Sequence, residues 1–190
     1  MRIIFDKALQ DARERILEAS DEQLASHNFS STLINGLEID VPELIEAGAQ
    51  QNVSEEIMTF ENAPPNVQFT PGRPMEYAEI SVPIKGSSNV LSFLSKQILW
   101  NPSFTIRNGH VIYREHSSRK IIGNVEVIEA IKKNAKTRID GVKSVFNQYK
   151  KESDNFINEE LMPFVEKHVA DERKKREDKK NSENSLNPFD

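Results

Sequence analysis

Few residues in this chain have the type and spacing for chemistry. Glu172-Arg173-Lys174 and Glu177-Asp178-Lys179 spell the Glu-x-Lys letters with which restriction-type nucleases hold a divalent metal, a pattern that works when an acid on a neighbouring strand completes it. Both triplets fall in a charged run of helical character, where such matches are nearly inevitable, so they read as solvated helix surface. His27, His110, His116 and His168 are dispersed, and His110 and His116 sit at opposite ends of one predicted strand, a poor arrangement for sharing an ion. Gly86-Ser87-Ser88 lacks the Lys-Ser/Thr of a phosphate loop and reads as a turn. The chain has no Gly-x-Ser-x-Gly and no cysteine, which removes a nucleophile elbow and a thiol nucleophile. The expectation is a non-enzymatic protein with no catalytic residue, no metal ligand and no cofactor.

Two binding patterns remain. Lys132, Lys136, Lys143 and Lys150 lie within about 40° of one another on a helical wheel and form a stripe suited to phosphates. Trp100 and Phe104 bracket Asn101-Pro102, with Arg107 following. Exposed, this set would make a stacking platform beside a cation; buried, it is the aromatic part of a small core.

The element that must position the lysine stripe is a long helical run from Asn124 to Lys180. Ile128, Ile131, Ala135, Ile139, Val142, Phe146 and Tyr149 recur at spacings of three and four, the mark of one apolar seam. Asn124 is a suitable cap, Gly141 is the one weak position, and Pro163 demands a kink or a restart. A helix of this length exceeds the needs of one small core. Ile128, Ile131, Ile139, Val142, Phe146 and Tyr149 are therefore the expected oligomer interface, coiled-coil-like, with the lysines along its edge. A body of 190 residues at 37% hydrophobic content supports one modest core plus an extension. Net charge is −5, yet Arg119–Glu152 holds nine Lys/Arg against four Asp/Glu, so a basic helix accompanies an acidic remainder.

Upstream, Asp6 reads as the cap of a first helix reaching Ser26. Asn35-Gly36 between short apolar flanks reads as a hairpin signal, and Pro42 opens a short helix ended by Gly48. A strand near Ile57–Phe60 precedes a proline-rich wrap. Tyr77–Ile84 alternates apolar and polar residues as a half-buried strand does. Val90–Gln97 reads as helical, and Ser103–Asn108 with His110–Glu115 as a hairpin turning at Asn108-Gly109, Thr105/Arg107 and Val111/Tyr113 on opposite faces. The predicted class is α+β: a small, mostly antiparallel sheet packed with helices, then a long helix or helical pair. The expected domains are 1–120, a helical stalk 121–180 and a disordered tail 181–190. Absent cysteines, a signal sequence or an apolar run of membrane-spanning length, the expected setting is soluble, cytoplasmic and away from membranes.

Val82 to Leu91, Asn101 to Ile112, and Asp154 to Leu161 with Val169 to Arg176 behind it, follow one another in an order that resembles the N-terminal region of a set of uncharacterised bacterial proteins. The resemblance covers residues 75–180. In that set a small domain and a helical pair precede a C-terminal effector resembling a restriction endonuclease or a Toll/interleukin receptor domain. Ser87 and Ser88 stand where that set carries an acidic residue, and Ser95–Trp100 replaces its Arg/Pro-rich stretch. The resemblance implies an assembly and sensing module of a bacterial, antiviral-type effector system, with the effector in cis beyond a truncated end or encoded separately in trans. The competing expectation is a nucleic-acid-binding module that positions a nuclease.

Overall fold

The computed structural model describes residues 2–37, 39–64, 67–86 and 104–186. It is α+β and divides into two compact units: residues 1–39 with 149–190, and residues 40–148. This division groups the N-terminal helices with the end of the chain and leaves the sheet by itself with the first part of the long helix.

The helical unit contains α1 (Arg2–Glu18), α2 (Asp21–Ala25), α3 (Phe29–Asn35), the last turns of α4 (Val125–Phe156), and α5 (Met162–Ser185). Phe5, Ala8, Ala12 and Ile16 recur at three and four residues and give α1 its buried stripe. α1 begins at Arg2, ahead of the expected cap at Asp6, because Phe5 must enter the core, where its ring stacks on Phe156 at 4.3 Å between centroids. Arg2 then bonds Asp6 at 2.9 Å and Glu160 at 2.8 Å. Ser20 and Gln23 form a reciprocal capping box that separates α2 from α1. Asn35-Gly36 closes α3 rather than turning a hairpin: Leu33, Ile34 and Leu37 are all buried, a helical spacing that short strand flanks could not match. Leu161, Val165 and Val169 supply the opposite wall of this core.

Pro163 is accommodated by a π turn at Ile157–Leu161, where the Met162 N–H donates to the Ile157 carbonyl. Widening the turn spares the proline ring the collision it would make inside a regular α-helix. Arg176 of α5 donates to the carbonyls of Leu17 and Ala19, to Asp21 at 2.8 Å and to Glu172 at 2.9 Å, capping the open end of α1. α5 continues to Ser185, past the expected stalk end at Lys180. Ion pairs one turn apart, Glu172–Arg176 and Lys179–Glu183, favour that continuation.

The sheet unit holds β1 (Glu43–Leu44), β2 (Gln50–Ile57), β3 (Pro74–Lys85), β4 (Phe104–Arg107) and β5 (His110–His116), all pairings antiparallel. β3 is central, with β5 and then β4 on one side and β1 and β2 on the other. The alternating segment read from the sequence lies inside β3, and the Asn108-Gly109 turn joins β4 to β5 with φ of 50° and 72°, the left-handed values that a type I′ turn needs. The expected strand at Ile57–Phe60 lies earlier, as β2, and Phe60 is exposed in the turn that follows. The expected Pro42 helix is reduced to β1 and a 3₁₀ turn at Glu46–Gly48. Pairing of Glu43 with Lys85 and Leu44 with Ile84 holds the segment extended, and the Ile45 N–H donates to the Pro83 carbonyl at 2.8 Å. The helix expected at Val90–Gln97 lies outside the described residues.

Ala78 packs with Ile121, Val127 and Ile131, which seats the start of α4 on one face of the sheet. Glu76 shares that face. Its carboxylate accepts the N–H groups of Ile121 at 2.5 Å and Ile122 at 3.0 Å, fixing the loop from β5 to α4. Asn124 caps α4 as its type predicts, accepting from Val127 at 3.2 Å.

Candidate functional site

Where β3 and β2 meet α4, the helix does not cover the sheet completely. A groove of about 910 Å³ remains, floored by Val53, Ala78, Ile80 and Val82 and walled by Ile128, Ile131, Ala135 and Ile139. Register explains the floor. Val53 lies opposite Ala78 and Gln51 opposite Ile80, so the odd residues of β2 share the helix-facing side of β3. Lys132, Lys133, Lys136, Glu129, Asp140 and Glu46 line its rim.

The apolar seam thus has a divided fate. Ile131, Val142, Phe146 and Tyr149 are buried within the chain, whereas Ile128 stays 37% exposed and Ile139 half-buried at the groove. The lysine stripe is largely matched by acids: Lys132 to Glu129 at 2.8 Å, Lys136 to Asp140 at 2.8 Å, and Lys143 to Glu46 at 2.6 Å. The carboxylate of Glu46 raises the Lys143 pKa, and the pair ties α4 to the 3₁₀ turn at one end of the groove. Lys150 is exposed in the helical unit.

Phe104 is buried against Tyr113, ring centroids 5.6 Å apart, while Arg107, three residues further along the strand, is exposed on the opposite face. Those two do not form one platform; Trp100 lies outside the described residues. Thr105 and Arg107 are exposed and Val111 and Tyr113 buried, the facing expected of them. The Tyr113 hydroxyl donates to Glu115, whose other oxygen accepts from Asn134 on α4 at 3.0 Å. Burial, followed by that carboxylate, pushes the Tyr113 pKa up.

The solvent face of the sheet carries a polar ladder that the sequence did not single out. His116 Nε2 lies 2.8 Å from Glu56, Arg114 bonds Glu79 at 2.7 Å and Glu56 at 3.4 Å, and the Arg114 guanidinium stands 4.4 Å from the Tyr77 ring centroid. The signal was the antiparallel register, which sets Glu79 against Arg114 and Tyr77 against His116. These groups satisfy one another. The ladder is a cross-strand clamp.

The other histidines go separate ways. His110 faces its own turn at Asn108, His168 stacks on Phe164, and His27 is exposed. No three His, Asp or Glu side chains among the described residues gather closely enough to hold a metal ion. Glu172 is occupied by Arg176, which lowers its pKa, and Arg173 donates to the Ser26 carbonyl. No helix among the described residues is long and apolar enough to cross a membrane. Comparison with protein-family models, curated proteins and solved structures finds no match to this chain.

Proposed function

We propose that this chain is a non-enzymatic assembly and sensing module that joins protein surfaces through its sheet unit and so positions an effector, in cis or in trans. The observation that supports this reading is the apolar groove, where Val53, Ile128 and Ile139 keep water-exposed surface beside the buried Ala78, Val82, Ile131 and Ala135. Val53 and Ile128 are already more than half covered, so closing over what remains is worth on the order of 1 kcal/mol each, and an assembly gains that term while a free monomer forgoes it. The resemblance of residues 75–180 to the region preceding bacterial effectors supplies the setting. The lysine stripe gives less support to a nucleic-acid interface, because Lys132, Lys136 and Lys143 each already face a carboxylate.

Sedimentation equilibrium tests the reading. The chain should exceed its monomer mass of 21.7 kDa at tens of micromolar, with little dependence on salt. Ile128→Asp, which charges an exposed groove position, should return it to the monomer mass with its circular dichroism unchanged. A chain at 21.7 kDa throughout, or an assembly indifferent to Ile128→Asp, contradicts the reading.

A further inference from the structure

The open long edge of the sheet borders the groove. β2 pairs with β3 alone among the described residues, and on its other side the Ile57 carbonyl accepts from the Asn62 side chain at 3.0 Å, leaving the stretch before it as the open part of the edge. Which groups are free follows from the ladder. Met58 donates its N–H to Arg73, and Glu76, on the central strand, turns its carbonyl the other way, to Ser117. Alternation along an antiparallel pair then directs the N–H and C=O groups of Gln51, Val53 and Glu55 outward. The same residues point their side chains to the groove face, since Val53 stands opposite Ala78.

The sequence of this edge is complementary to itself. If a second β2 runs antiparallel to the first with Val53 against Val53, Asn52 meets Ser54, Gln51 meets Glu55, Gln50 meets Glu56 and Ala49 meets Ile57. Every carboxylate faces an amide, and the apolar residues at the centre and the ends face apolar residues. Val53 is 39% and Ile57 61% exposed in the single chain, so both have surface to bury. A parallel pairing would set Glu55 on Glu55 and Glu56 on Glu56. Moving the antiparallel register by two residues would set Val53 against Glu55 or Gln51. The backbone agrees with the match: Val53, on the two-fold axis, and Gln51 with Glu55 beside it are the outward-directed positions, able to exchange both N–H···O=C bonds of each pair.

We propose that β2 is a homodimerisation edge: a second copy of this chain adds its own β2 antiparallel to the first about Val53, making one sheet through both molecules. The partner's Gln51, Val53 and Glu55 then extend the floor of the groove. This rests on the assembly reading above and names its partner and register. The edge is polar apart from Val53 and Ile57, and its two glutamates repel the in-register parallel stacking by which open strands aggregate.

The chain has no cysteine, so a single introduced thiol reports one position cleanly. On the two-fold axis the two Val53 Cα atoms stand about 5.5 Å apart, within disulfide reach, whereas Gln51 and its copy are about 14 Å apart. Under mild oxidation, full-length Val53→Cys should give a covalent dimer and Gln51→Cys should not. Mixed Gln51→Cys and Glu55→Cys chains should cross-link with each other. In parallel, Gln51→Glu should weaken the dimer about tenfold by opposing two carboxylates, and adding Glu55→Lys should restore it. A dimer by mass in which Val53→Cys cross-links no better than Gln51→Cys, or in which the charge exchange does not restore affinity, overturns the edge pairing and leaves assembly standing. A chain that stays monomeric overturns both.

Discussion

Glu76 shows how one side chain sets the geometry of the sheet unit. It stands on the helix-facing side of β3 in line with Ala78, Ile80 and Val82, and it earns a buried position by accepting the N–H groups of Ile121 and Ile122, the residues that lead into α4. Those two bonds, Ile122 first, hold its pKa below the ordinary 4.5. Because the folded value is lowered, the stability it contributes is complete above about pH 4.5 and is lost as pH falls through the lowered value. Glu76→Ala should therefore lower the urea midpoint at pH 7, and the gap between variant and parent should narrow as pH falls below 4.5; a gap independent of pH would contradict this. Glu76→Gln keeps an acceptor oxygen and should fall between the two. The clue was present in the sequence, since a carboxylate interrupts the apolar face of the alternating strand. What it meets was not, because Ile121 is 45 residues away along the chain.

Local signals predict the elements well where they act alone. The Asn108-Gly109 turn, the Asn124 cap and the alternation of β3 are short-range effects, and each is found where its residues predict. The failures have a common physical origin in packing across the chain. Asn35-Gly36 ends a helix because Leu33, Ile34 and Leu37 meet the core formed with Leu161, Val165 and Val169; β2 lies ahead of the strand expected at Ile57–Phe60 because an edge strand with Val53 and Ile57 as its large apolar residues carries almost no periodicity. α1 illustrates the tightness of that core. Ala12 is fully buried, and α1 packs against α5 along a face that carries Ala8 and Ala12. Ala12→Leu should overfill this site and cost about 1–3 kcal/mol in urea unfolding, while a leucine at exposed Arg13 should cost far less. Equal tolerance of both changes would show that the helices are not closely packed there.

For the whole molecule, the partition into residues 1–39 with 149–190 and residues 40–148 was hidden from sequence reasoning because the first unit joins segments from opposite ends of the chain. The seam on α4 was legible as an apolar stripe, but periodicity alone cannot tell which residues the chain covers for itself. Ile131, Val142, Phe146 and Tyr149 are covered by the chain itself, so Phe146→Asp should impair folding, and the assembly surface proposed above draws on Ile128, Ile139 and the β2 edge instead. The groove itself was not legible, because it needs the register of β2 on β3 and the position of α4 together.

The central claim is that this groove face closes on another protein surface, and hydroxyl-radical footprinting of side chains tests it most directly. As the chain is concentrated from sub-micromolar to tens of micromolar, modification of Val53, Ile128 and Ile139 should fall together, while Phe60, 83% exposed and outside the groove, should react unchanged. Modification of the three groove residues that stays constant across that range, or protection that develops instead at exposed Ile3 and Leu17 of the helical unit, would contradict it.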